Sequence, residues 1–189
     1  HIARHYVRRG GLVYDIGTST GNIAKLLAPT LMARNAQLVA IDESAEMVAR
    51  YDGPGKAVVA DAVTFDYEPC CTIILFLVVQ FLPVHTRKLL LNRMHDALEP
   101  GGAIVIVDKT DGGDFSPYQA TVMRRLTLAG KVSAAVPSEE IVAKELSLGG
   151  YQRPLPAGYS GNLSCLFSGM KLSQWFKFGE FAGWLIEKD

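Results

Sequence analysis

The chain has 189 residues, 49% of them hydrophobic and 20% charged, with 19 acidic side chains balancing 19 basic ones. That length and apolar content can bury a sizeable core. A formal net charge of zero excludes a chain-wide basic footprint for nucleic acid, and the local clusters Arg4, Arg8, Arg9 and Arg124, Arg125 read as solvated helix faces.

In chain order, Leu12 to Ile16 is a short apolar run that predicts a buried strand. Gly17 to Gly21 follows as a glycine turn, and then Ile23, Leu26 and Leu27 recur at helical spacing. Leu38 to Asp42 predicts a second strand, and Ser44 a cap for a helix carrying Met47 and Val48. Ala57 to Ala60 predicts a third strand ending at Asp61. The fourth and most hydrophobic strand is expected over Thr72 to Val79. A helix over Thr86 to Leu98 follows, with Leu89, Leu90, Met94 and Ala97 on one face and Pro100-Gly101-Gly102 as its stop. Ala103 to Val107 predicts a fifth strand ending at Asp108. Such alternation of strand and helix argues for a parallel, doubly wound sheet.

Beyond residue 108 the pattern changes. Gly112-Gly113 opens a loop, and Ser116-Pro117 starts a helix with Met123, Leu126 and Leu128. Residues 137–158, rich in Pro and Gly, read as irregular. Asn162 to Met170 and Lys177 to Ile186 read as two final strands joined by Lys171 to Phe176. The expectation is one domain over residues 1–189, beginning on the end of a helix, with an incomplete N-terminus.

Cys70, Cys71 and Cys165 show no C-x-x-C spacing, which argues against a zinc site or a disulfide framework and for a reducing, cytoplasmic setting. Adjacent Cys70 and Cys71 should point to opposite faces of a strand. The apolar run Thr72 to Leu82 is too short to span a bilayer. No metal site and no membrane partner are expected.

The glycine turn admits three chemistries. Gly17-Thr18-Ser19-Thr20-Gly21 fits the G-x-S-x-G nucleophile elbow literally. An elbow, however, should follow the central strand of a sheet already several strands long, with a histidine late in the chain, and His95 is the last histidine here. Residues 17–22 do not supply the G-x-G-x-x-G of a dinucleotide site. The third reading is a resemblance. Asp15-Ile16-Gly17-Thr18-Ser19-Thr20-Gly21 resembles the first motif of class I S-adenosylmethionine-dependent methyltransferases, with serine at the middle glycine.

That resemblance implies a Rossmann-like, doubly wound, mostly parallel seven-stranded α/β sheet with a C-terminal antiparallel hairpin. It also implies S-adenosyl-L-methionine as cofactor and S-adenosyl-L-homocysteine as product. The implied cofactor-binding residues are Asp15, Gly17, Thr18, Ser19 and Gly21 in the loop. Asp42 and Glu43 would serve the ribose, Asp61 and Ala62 the adenine, and Phe76 the methyl end. No catalytic residue is identifiable, although Gln80, His85 and Asp108 fall near the ends of strands four and five. The implied partner is a small-molecule acceptor or an RNA base, and the implied assembly a homodimer. Val78-Val79-Gln80-Phe81-Leu82-Pro83 lacks the Asp/Asn-Pro-Pro-aromatic step of DNA amino methylation. Pro69-Cys70 precedes the fourth strand, the wrong side for cytosine C5 chemistry. Trp175, Phe176 and Phe178 could line an acceptor pocket, but hairpin core is the expected role. A non-catalytic cofactor- or partner-binding module is the reading of another class.

Within that superfamily, Val13 to Gly17, Ile73 to Pro83 and Leu98 to Lys109 resemble the carboxy-S-adenosylmethionine synthases of tRNA wobble-uridine modification. Gln174 to Gly179 resembles that family's last strand. The family holds its extra carboxylate with an asparagine and an arginine; the matching positions here are Phe76 and Glu145, neither of which can donate to a carboxylate. About ten fewer residues precede Ala157 than the family has, judged on loop length. The resemblance therefore implies the family's scaffold but plain methyl transfer.

Overall fold

The computed structural model describes residues 1–111, 116–149, 151–155 and 167–189. In chain order the elements begin α1 (Ile2–Tyr6), β1 (Leu12–Ile16), α2 (Asn22–Arg34), β2 (Gln37–Asp42), α3 (Ala45–Ala49), β3 (Lys56–Val59) and β4 (Cys70–Phe76). They continue with α4 (Val84–Ala97), β5 (Leu98–Lys109), α5 (Pro117–Ser133), α6 (Ser138–Leu148), β6 (Lys171–Phe178) and β7 (Phe181–Glu187). The seven strands form one sheet in the order β3-β2-β1-β4-β5-β7-β6. β1 to β5 pair in parallel, and β7 and β6 close the sheet antiparallel, as expected.

The central parallel strands β1, β4 and β5 are buried on both faces, because successive side chains alternate between two helical layers, whereas the edge strand β3 has no buried residue. Tyr14, Ile16, Ile73, Leu75, Ile104 and Ile106 pack with Leu90, Leu91 and Met94 of α4. Val13, Leu38, Ala40, Ile74 and Val105 pack with Ala3 of α1 and with Leu27 and Leu31 of α2. Cys70 and Cys71 divide between the two layers as the alternation requires, and both are free. Ser44 caps α3 by accepting from Met47 N, and Ser116 caps α5 with Gln119 in a capping box. In α2, Leu27 is buried whereas Leu26 is exposed.

Several expected boundaries are corrected. The fourth strand is Cys70–Phe76 and stops short of Val79. Leu77 takes a left-handed φ of 61°, which turns the chain out of the sheet into a 3-10 turn over Val79–Phe81. Pro100-Gly101-Gly102 lies inside β5 rather than before it, because Leu98 already pairs with Cys70 and the register shifts before Ala103 joins Thr72. The stretch expected to be irregular contains α6, with Glu139 and Glu140 in its first turn, where the helix dipole favours acids. The hairpin turns at Gly179-Glu180, with Gly179 at φ 58°, and Lys171 to Phe176, expected as the join, belong to β6. Trp175 and Phe178 lie exposed on the edge strand, so the expected hairpin core is built on Trp184 instead. The expected loop at Gly112-Gly113, strand residues 162–166, Cys165 and Ala157 lie outside the described residues.

Candidate cofactor site

The sheet order reverses between β1 and β4, and connections that depart in opposite directions there leave a crevice at the strands' C-terminal ends. A cleft of about 550 Å³ occupies that place. Its walls are Ile16, Gly17 and Ser19 after β1, Ile41 to Glu43 at the end of β2, Ala60 to Val63 after β3, and Phe76 to Val78 after β4. Phe81, Leu82, Pro83 and Thr86 close the far side. This volume lies within the range, roughly 300–1,000 Å³, of small-molecule sites.

Of the residues expected at the site, Gly17, Ser19, Asp42, Glu43, Asp61, Ala62 and Phe76 line this one cleft. Asp15, Thr18 and Gly21 lie behind its wall and brace the turn. Thr18 Oγ1 donates to Asp15 Oδ2 at 2.8 Å, and both residues are buried. Burial, with the nearby Asp42 charge adding to it, pushes the Asp15 carboxyl up to about 6. The backbone N–H groups of Gly17 and Thr18 both donate to Ile41 O, which lashes the turn to β2.

Two glycines are required by this geometry. Gly17 has φ 62°, and a Cβ there would come within 2.5 Å of Val78 Cγ2. Gly21 has φ 90°, and its Cβ would meet Tyr51 Cε2 at 2.8 Å and Gly53 N at 2.9 Å. Gly21 is also the N-cap of α2, and no side chain caps that helix. The first-turn amides of a helix have no partner within it, so this end suits an electron-rich ligand group.

Asp42 Oδ2 accepts Ser19 N at 2.8 Å and Oδ1 accepts Ser44 N at 2.9 Å. Ser19 itself takes a left-handed φ of 51°. Asp61 is exposed, and its Oδ1 accepts Val63 N at 2.8 Å, so it also shapes the turn after β3. Phe76, the last residue of β4, is 42% exposed to the cleft side.

The three candidate proton acceptors are placed elsewhere. Asp108 is fully buried; it accepts Gln80 N at 3.2 Å and Lys109 N at 2.8 Å, and burial pushes its carboxyl up to about 6. Gln80 is also buried, its Nε2 donating to Leu77 O at 3.4 Å. His85 is exposed on α4 and does not line the cleft. Glu145 does not face Phe76. It pairs with Lys131 at 2.7 Å, which pulls its carboxyl below the usual range, and it lines a second cavity of about 490 Å³ with Lys109, Arg124 and Gln152.

Sequence reasoning missed Arg87, a buried cation beside the cleft wall. The available signal was its position, for Arg87 falls on the Leu90, Leu91, Met94 face of α4 where an apolar residue is the norm. It also missed Leu77, Val78 and Leu82, whose cleft positions depend on the turn after β4.

Comparison with known proteins agrees with this geometry. Residues 13–102 match the family model described as a methyltransferase domain. A carboxy-S-adenosyl-L-methionine synthase of Staphylococcus epidermidis is 27% identical over 192 residues, which covers 99% of this chain and 83% of that protein. The same-named protein of Chromohalobacter salexigens is 36% identical over 117 residues, 57% of this chain and 43% of its own length. Among solved structures, the N-methyltransferase NodS from Bradyrhizobium japonicum with S-adenosyl-L-homocysteine superposes at TM-score 0.58 and 16% identity, covering 94% of this chain and 78% of that one. CalO1, a methyltransferase in calicheamicin biosynthesis, gives TM-score 0.62 at 17% identity, over 96% of this chain and 50% of its own. The fold is that of the class I S-adenosylmethionine-dependent methyltransferases, and the match to the methyltransferase-domain model runs from β1 into β5. Its sequence is similar to the carboxy-S-adenosyl-L-methionine synthases.

Proposed function

We propose that the cleft binds S-adenosylmethionine and that the protein transfers its methyl group to a small molecule or an RNA base. One observation carries this reading: the glycine turn, Asp42 with Glu43, Asp61 with Ala62, and Phe76 surround a single cleft at the strand-order reversal. The residues suit the ligand. Gly17 leaves the backbone bare where the amino-acid end would lie, and the uncapped α2 N-terminus offers N–H groups to a carboxylate. Each Asp42 oxygen accepts one backbone amide and retains a second lone pair for a ribose hydroxyl. Asp61 stands where it can accept from the adenine amino group, and Ile41, Val63 and Leu82 supply apolar wall for the ring.

When bound, S-adenosylmethionine supplies an activated methyl group on a sulfonium. The protein's own task is then to hold the donor, orient it and exclude water; positioning of this kind lowers barriers by roughly 7–11 kcal/mol. Phe76 and Leu77 keep the end of β4 apolar beside that group. Gln80 and Asp108 hold backbone rather than face the cleft, so a protonated acceptor would have to bring its own base or a residue outside this set. We extend the reading to a cytoplasmic setting because Cys70 and Cys71 are free and buried.

The similarity to carboxy-S-adenosyl-L-methionine synthases favours a second reading, in which the cleft takes the carboxylated cofactor. Phe76 weighs against it, because a buried carboxylate without a donor is costly. Mass spectrometry of ligand that copurifies with the protein, followed by calorimetry with both cofactors, tests the choice. The methyl cofactor should dominate and bind at least about tenfold tighter, a difference of about 1.4 kcal/mol. Predominance of the carboxylated form would overturn the reading.

A further inference from the structure

The cleft wall after β4 and the segment Tyr151–Leu155 meet on one buried guanidinium. Arg87, 3% exposed, donates from Nε to Leu82 O at 3.2 Å and from Nη2 to Gln80 O at 3.5 Å. The same Nη2 donates to Arg153 O. Arg153 N returns a bond to Gln80 O at 2.7 Å. On its other side the segment is tied to β5, with Leu155 N donating to Lys109 O at 2.9 Å and Asp111 N to Leu155 O at 2.8 Å. Asp108, beneath the 3-10 turn, holds that turn by accepting Gln80 N and is the acidic neighbour of the Arg87 charge.

Each end of this linkage opens on a different space. Leu82 lines the cofactor cleft, whereas Gln152 and Pro154 line the second cavity with Lys109, Arg124 and Glu145. A buried guanidinium keeps its hydration cost low only while its N–H groups are bonded, and its planar fork fixes their directions. The three carbonyls are therefore held in one mutual arrangement, and none can move without stranding either a donor or an acceptor.

We propose that Arg87 is a positioning residue that couples the walls of the two cavities, so that filling the cofactor cleft orders the segment Tyr151–Leu155. This rests on the cleft being the S-adenosylmethionine site. Energetic coupling of this sort is reciprocal, so a ligand of the second cavity would in turn tighten the cofactor cleft.

Amide hydrogen exchange with and without S-adenosyl-L-homocysteine tests the coupling on the whole chain. In wild type, the ligand should slow exchange at residues 77–82, which border the cleft, and also at Arg153 and Leu155, which do not, by at least about tenfold at both. In Arg87→Met and in the milder Arg87→Lys, saturating ligand should still protect residues 77–82. Protection of Arg153 and Leu155 should be lost in the first and partial in the second. A role confined to stability would speed exchange generally yet leave the ligand-induced ratio at Arg153 and Leu155 unchanged, and that result would overturn the proposal. Calorimetry on wild type separates the two ideas. If S-adenosyl-L-homocysteine does not bind, the cofactor reading fails, and the linkage is judged on ligand-free exchange. There, acceleration at both Leu82 and Arg153 in Arg87→Lys that exceeds the acceleration at Tyr14 and Val39 of the β1–β2 ladder supports it, and acceleration at only one of them, or equal acceleration throughout, refutes it.

Discussion

Asp42 grips the turn that follows β1: its Oδ2 accepts the Ser19 backbone N–H at 2.8 Å, across 23 residues of sequence. The other oxygen accepts Ser44 N at 2.9 Å. The carboxylate proposed to meet the ribose is thus also the brace that fixes the glycine turn against β2. Affinity and loop geometry therefore depend on one side chain.

Asp42→Ala removes both functions and should weaken S-adenosylmethionine binding by at least about tenfold, since hydrogen bonds to a charged group contribute roughly 1.5–3 kcal/mol. Asp42→Asn keeps one accepting oxygen and should fall between the two. Calorimetric titration of the three proteins checks the order. An Asp42→Ala protein that binds as tightly as wild type would refute the assignment.

Gly17 is constrained from two directions, by its φ of 62° and by Val78 Cγ2 at 2.5 Å from any Cβ placed there. Gly17→Ala should lower both thermal stability and cofactor affinity. Adding Val78→Ala should recover part of the loss by clearing the contact, and leave about 1 kcal/mol of left-handed strain. A double variant no better than Gly17→Ala would mean that the contact with Val78 is unimportant.

The Asp15 carboxyl, raised from 3.8 to about 6 by burial, holds its proton in the folded state at pH values where the unfolded chain has released it. Folding thus takes up a proton between these values, and the Asp15 contribution to stability falls as pH rises through that window. Above it the penalty for the buried charge is fully present. Asp15→Asn does not ionise and can still accept from Thr18. Denaturant melts from about pH 4 to about pH 7 should show wild type losing on the order of 2–3 kcal/mol relative to Asp15→Asn. Asp108 titrates in the same range in both proteins and cancels in the difference. A pH-independent difference would show that Asp15 ionises normally.

Phe76 is the residue at which cofactor choice is most directly testable. Phe76→Asn places an amide donor at the end of β4 and should raise affinity for the carboxylated cofactor by several-fold to about tenfold, the effect of one charge-assisted hydrogen bond. Glu145→Arg should add little, because Glu145 faces Lys131 and the second cavity rather than Phe76. Parallel titrations with the two cofactors read this out. A large gain from Glu145→Arg alone would show that the late helices close over the cleft on binding.

Much of this protein is written in local sequence. Leu12–Ile16, the glycine turn and the cap at Ser44 are short-range patterns, and each formed where period and turn chemistry required. Asp42 and Asp61 were legible because strand ends in a parallel sheet deliver their residues to one edge, whereas Phe76 was reached through the resemblance and became a strand end only in the fold. What tertiary structure decided lies where a local signal had two outcomes. Pro100-Gly101-Gly102 reads as a stop, yet pairing of Leu98 with Cys70 carries the strand through it. Trp175 and Phe178 read as core, yet an edge strand leaves them exposed and buries Trp184 of the neighbouring strand. Arg87 was not singled out in the sequence, and only the carbonyls of Leu82, Gln80 and Arg153, brought together by the turn after β4, make its burial tolerable. Glu145 and Phe76 were joined by alignment, but helices α5 and α6 pair Glu145 with Lys131 and set it in a different cavity. Short-range patterns set which elements form; long-range pairing and the hydrogen-bonding demands of buried groups set what those elements present to the cleft.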